Sequence, residues 1–141
     1  MNKLKSYIKR NIKLILSLLL VIYLFSCTTL IKYEILDKEG NILPPEKLLL
    51  KGQQAYDYKS YDIALKYFNL IIEKYPENTY YCAWAYYEIG FVYYSIKKYD
   101  EALKYLNILI EKYPDEKEQV SLANFLISKI KEMQNKNNNK F

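Results

Sequence analysis

Tyr61-Asp62-Ile63-Ala64-Leu65-Lys66-Tyr67-Phe68-Asn69-Leu70-Ile71-Ile72-Glu73-Lys74-Tyr75-Pro76 returns 38 residues later as Tyr99 through Pro114, with 12 of the 16 aligned pairs identical. The exceptions are Ile63/Glu101, Phe68/Leu106, Leu70/Ile108 and Ile71/Leu109. Self-similarity at a fixed offset of this size marks a repeat architecture. Apolar residues recur at i, i+4, i+7, i+8 and i+11 in both copies: Ala64, Phe68, Ile71, Ile72 and Tyr75, then Ala102, Leu106, Leu109, Ile110 and Tyr113. That spacing is one stripe of a 3.6-residue helix. Asp62 and Asp100 stand where an N-cap oxygen would take up free backbone N–H groups, and Pro76 and Pro114 stop each helix.

A second helical stretch precedes each copy, at about 46–58 and 80–96, and carries Gly52 or Gly90 twelve residues ahead of Ala64 or Ala102. A glycine on one helix facing an alanine on the next lets the two backbones approach closely. This combination resembles the tetratricopeptide repeat, a helix-turn-helix unit of about 34 residues. Gly52, Ala64, Phe68 and Pro76 match its pattern in a first unit at about 45–78, and Gly90, Ala102 and Pro114 in a second at about 83–116. Leu106 replaces the usual aromatic; Tyr86, Ile89 and Tyr93 fill the other first-helix positions, whereas Lys51 and Ala55 depart from them. A third stretch, about 116–134, opens with Asp115 and Glu118 spaced as a capping box and puts Ala123, Leu126, Ile127, Ile130 and Met133 on one face. It reads as the terminal cap of a solenoid. The expected fold is all-α: a short tetratricopeptide-repeat superhelix of two units and a capping helix, spanning 46–134, with 135–141 as a disordered tail.

The N-terminus has a different grammar. Lys3, Lys5, Lys9, Arg10 and Lys13 precede twelve residues, Leu14 to Phe25, of which only Ser17 is polar. As a helix the apolar run rises about 18 Å, short of a hydrocarbon core of roughly 30 Å. Residues 1–26 therefore read as an export signal. Leu24-Phe25-Ser26-Cys27 resembles the lipobox of bacterial lipoproteins. The resemblance implies cleavage before Cys27, a diacylglyceryl thioether on its sulfur and an acyl chain on its new amino group, with no other cofactor. Two or more chains anchor stably where one binds marginally. An uncleaved anchor would have to bury Ser26, Thr28 and Thr29 mid-helix. Residues 27–45, with Gly40, Asn41, Pro44 and Pro45, are expected to form an extended tether.

Charge and composition exclude several function classes. The net charge of +5 disappears once the five basic residues of 1–26 are set aside, leaving 16 basic against 16 acidic residues. The basic balance belongs to the export signal and gives no reason to expect nucleic acid. There is no histidine, and the second cysteine, Cys82, lies in a helical pattern and reads as a small buried hydrophobe. Neither a catalytic constellation, a metal-ligand spacing nor a phosphate-cradling glycine loop is present, so neither enzyme chemistry nor a small-molecule substrate is expected.

The candidate site is a groove. In the tetratricopeptide frame the first helix of each unit lines the concave face, which assigns to it Trp84, Tyr87, Phe91 and Tyr94, beside Glu46, Leu49, Gln53 and Tyr56. An exposed aromatic stripe suits a partner's extended segment or helix; the alternative is that it buries itself on the first unit or the cap. The lipobox, the tether and the loop Tyr75-Pro76-Glu77-Asn78-Thr79-Tyr80 with Ala83, Tyr87, Ile89 and Gly90 resemble the outer-membrane protein assembly lipoproteins of the BamD family. The same loop style occurs in the periplasmic coordinator associated with the Tol-Pal system. The resemblance implies an outer-membrane lipoprotein on the periplasmic side that binds an envelope protein, the barrel-forming core of the assembly machinery. A surface-exposed lipoprotein binding host molecules and a pilotin-like lipoprotein are the competing readings.

Overall fold

The computed structural model describes residues 11–12 and 32–138. The chain divides into two units, Met1–Lys32 and Tyr33–Phe141. In the first, only a helical step at 11–12 and Lys32 are described, so the expected signal segment and Cys27 lie outside the described residues. The second unit is all-α: α1 (Pro45–Asp57), α2 (Tyr61–Lys74), α3 (Thr79–Ser95), α4 (Tyr99–Lys112) and α5 (Lys117–Asn138). Each first helix packs on its own second helix, α1 on α2 and α3 on α4. Each second helix then packs on the next first helix, α2 on α3 and α4 on α5. The first helices also meet one another, α1 with α3 and α3 with α5. The result is a short tetratricopeptide-like superhelix in which α1, α3 and α5 share one layer.

The turns inside the two units are built alike. Lys59 and Lys97 both adopt left-handed backbone, φ 59° and 62°. Ser60 N–H donates to Ala55 O at 2.8 Å and Lys59 N–H to Tyr56 O at 2.7 Å; Lys98 and Lys97 repeat the pattern onto Tyr93 and Tyr94 at 2.9 and 3.0 Å. These paired bonds consume the free carbonyls at each helix end. The glycines fall where the helices cross. A Cβ on Gly90 would stand 2.7 Å from a Leu106 methyl, and one on Gly52 would strike the Phe68 ring. The glycine thus faces the bulky residue one turn beyond the expected alanine; the Ala102 carbonyl lies 3.5 Å from the Gly90 position. Ala64, Phe68, Ile71, Ala102, Leu106 and Leu109 are all fully buried, as is Cys82. The Cys82 thiol donates to Tyr75 O at 3.3 Å, and burial pushes its pKa up. Nearby, burial and the neighbouring Cys82 and Tyr86 push the Tyr113 hydroxyl up to about 12.

Four local expectations are corrected. Asp62 and Asp100 sit inside the first turn rather than at the N-cap, which Ser60 and Lys98 occupy without a side-chain bond. Their carboxylates face the positive end of the helix dipole instead. Likewise α5 starts at Lys117, past Asp115; the Thr79 hydroxyl donates to Glu116 at 2.7 Å, which ties the start of α5 to the start of α3. Residues 135–138, expected to be tail, continue α5, with Lys136 paired one turn back to Glu132 at 2.6 Å. Met133 is 40% exposed, and its sulfur accepts from the Tyr99 hydroxyl at 3.7 Å.

The largest correction concerns the tether. Residues 33–43 form a small hairpin docked on the first unit, closed by an antiparallel bridge between Leu36 and Ile42. Asp37 Oδ1 accepts from Glu39 N–H and Asn41 N–H, each at 2.9 Å, and Gly40 supplies φ 86°. Those N–H donors hold the Asp37 carboxyl below its usual range. The Tyr67 hydroxyl takes Glu34 N–H at 2.8 Å and lies 3.1 Å from Glu34 O, the Tyr33 ring packs 4.7 Å from that of Tyr67, and the Tyr75 hydroxyl donates to Leu43 O at 2.9 Å. A segment without helical periodicity is held by tyrosines of α2 and of the turn after it.

The Gly90→Leu substitution overpacks the α3–α4 crossing and should lower stability by about 1–3 kcal/mol, read as a fall in the denaturant midpoint. Lys97→Gly relieves left-handed strain and should raise stability by up to about 1 kcal/mol in the same measurement.

Candidate partner-binding groove

Alignment of α1, α3 and α5 in one layer places the expected groove residues side by side. Trp84, Tyr87, Phe91 and Tyr94 are each partly buried, neither core nor fully open. Their rings form a continuous row: Trp84 lies edge-on to Tyr87 at 5.9 Å, Tyr87 stacks on Phe91 at 6.1 Å, and Phe91 meets Tyr94 at 6.2 Å. Tyr56 of α1 joins the row 5.4 Å from Phe91, and its hydroxyl is 2.8 Å from Ser95 Oγ. The lower end of the row, Tyr56, Phe91 and Tyr94, packs between the two units, while the Trp84 end opens onto a cavity.

That cavity, of about 310 Å³, is lined by Glu46, Leu49, Leu50, Gln53, Tyr80, Tyr81 and Trp84. Glu46, Leu49, Gln53 and Trp84 belong to the expected groove; Leu50, Tyr80 and Tyr81 do not. Leu50 and Tyr80 are 54% and 47% exposed. With the Gln119 amide oriented so that both of its ends are satisfied, the indole Nε1 of Trp84 donates at 2.7 Å to Gln119 Oε1 and Gln119 Nε2 donates to Glu116 O at 3.2 Å. Gln119 is fully buried and fixes the indole plane against α5. Across the α1–α3 seam Gln53 Nε2 donates at 2.7 Å to Glu88 Oε1. Burial raises the Glu88 pKa; the Gln53 bond opposes the rise and the charge of Asp57 adds to it. On α5, Phe125 is 61% exposed with Lys129 Nζ 5.0 Å above its ring.

Glu88 and Gln119 were missed from the sequence, yet one signal for Glu88 was there. At the offset of 38 residues, Glu88 replaces Leu50 and precedes Leu126, a carboxylate in an apolar register position. The repeat-marking residues serve structure: Gly52, Ala64, Phe68, Gly90, Ala102 and Leu106 are buried at the helix crossings, and Pro76 and Pro114 are exposed in the turns.

The match to known families falls on this second pair of helices. Residues 84–116 match the tetratricopeptide repeat. No curated protein and no solved structure matches the chain. The tetratricopeptide repeat is a protein–protein interaction scaffold, and the matched residues begin at Trp84, the open end of the aromatic row. Among the described residues no helix is long and apolar enough to cross a membrane.

Glu88 supplies a pH test of this seam. Its folded pKa is raised, so below about the ordinary value of 4.5 it is neutral in both states and costs nothing. As pH rises from there through the folded pKa, the unfolded chain ionises first and the fold loses stability. Glu88→Gln should therefore be more stable than the parent at pH 7.5, and the difference should vanish at pH 4, read from denaturant midpoints at the two values.

Proposed function

We propose that this chain is a non-enzymatic, lipid-anchored scaffold that holds an envelope protein in the groove of its first helices, as an accessory of outer-membrane β-barrel assembly. The observation that carries the reading is the aromatic row Trp84-Tyr87-Phe91-Tyr94 ending at a cavity between α1 and α3. Aromatic side chains that are partly desolvated but still reachable are the residue type that dominates binding energy at interfaces. The anchoring half of the reading rests on Leu24-Phe25-Ser26-Cys27, with acyl chains on Cys27 as the covalent group.

The test is a mild-detergent pull-down of the tagged chain from its native envelope, with mass spectrometry of the captured proteins and of the N-terminal peptide. The expected outcome is an outer-membrane barrel assembly protein in the eluate, a triacylated Cys27 peptide, and loss of the captured protein in the Trp84→Ala/Tyr87→Ala double variant with helicity retained. Capture of the same partner by the double variant would remove the groove from the reading. An unmodified Cys27 would remove the anchor.

A further inference from the structure

The cavity at the open end of the aromatic row is built of acceptors and π-faces. Glu46 contributes a carboxylate, and Tyr80, Tyr81 and Trp84 contribute rings, with Tyr80 and Tyr81 edge-on to each other at 5.2 Å. Gln53 is oriented by Glu88: its amide nitrogen is committed to the Glu88 carboxylate at 2.7 Å. Its oxygen, which has no hydrogen-bond partner among the described residues, is left to accept. Neither Lys nor Arg lines the cavity. Among the described residues neither Glu46 nor Glu88 has an ion-pair partner, although basic residues are plentiful elsewhere. The Glu46 carboxylate beside aromatic rings gives the cavity negative potential and faces that attract cations.

We infer that this cavity receives a cationic side chain, arginine or lysine, from the bound partner, with Glu46 and Gln53 Oε1 as acceptors and the Trp84 and Tyr80 rings as walls. The inference rests on the groove being the partner site and adds which chemistry it reads. Glu88 acts as a positioning residue, because its bond to Gln53 Nε2 decides which end of that amide faces the cavity. A volume of about 310 Å³ accommodates one long side chain.

The chain contains one tryptophan, so the fluorescence of Trp84 reports on this cavity alone. The full chain in detergent is titrated with N-acetyl-arginine amide and with its neutral isostere N-acetyl-citrulline amide. The arginine probe should give a saturable change in emission with an apparent affinity about tenfold tighter than that of the citrulline probe, the combined effect of one carboxylate and the ring faces. Glu46→Gln should bring the ratio close to one with the helical circular dichroism unchanged, and added salt should narrow it in the parent. Equal responses to the two probes, or no saturable response to the arginine probe up to its solubility limit, would overturn the inference. Equal responses together with groove-dependent capture of an envelope partner would overturn the cation preference and leave the scaffold reading standing. Capture that survives Trp84→Ala/Tyr87→Ala would overturn both.

Discussion

The structure depends on how closely the two helices of each unit approach at Gly52 and Gly90. With no side chain there, the Phe68 ring and the Leu106 isobutyl group lie against the first helix's backbone, and both are fully buried. Any larger residue would push the helices apart, and the neighbouring contacts of Ala64 and Ala102 would loosen with them. That spacing in turn fixes the turn of three residues between the helices, which closes only with Lys59 and Lys97 in left-handed backbone. Strain of about 1 kcal/mol at each lysine is tolerated because two backbone hydrogen bonds and the crossing behind it hold the turn in place.

A solenoid must also finish its ends, and the two ends are finished differently. At the first unit the hairpin 33–43 lies on α2, covering Tyr67, which is 1% exposed, whereas its counterpart Tyr105 stays partly open among Tyr93 and Tyr86. At the other end α5 repeats the register of α3 with altered chemistry. Ala83, Tyr86, Gly90 and Tyr93 of α3 correspond to Ser121, Asn124, Ser128 and Lys131 of α5, all exposed. The face that receives a second helix in α3 is polar in α5, so α5 buries only Ala123, Leu126, Ile127 and Ile130 and turns a wettable side outward.

The helices and their pairing were legible because they are carried by periodicity and by repetition, signals that survive without neighbours. Helix starts were less legible: an aspartate one residue inside a helix and one at its cap look the same in sequence, and here dipole placement won over capping. The hairpin was hidden because its order comes from tyrosines more than 30 residues away, reached through Tyr67 and Tyr75. Residue types alone read it as a linker. The groove was legible as a row of aromatics but not in its division. That Phe91 packs on Tyr56 while Trp84 borders a cavity follows from Gln53, Glu88 and Gln119, polar residues whose role exists only once three helices meet.

The two units differ in a way that separates scaffold from site. Their second helices are close to duplicates, 12 of 16 residues identical through the following turn, while over α1 and the matching stretch of α3, residues 46–57 against 84–95, only Gly52/Gly90 and Tyr56/Tyr94 are shared. The glycine is required by the crossing and the tyrosine sits at the packed end of the groove. Every remaining first-helix position has changed, including the groove positions: Glu46, Leu49 and Gln53 against Trp84, Tyr87 and Phe91. The half that sets helix spacing is retained and the half that faces the groove differs, one wall acidic and aliphatic, the other aromatic.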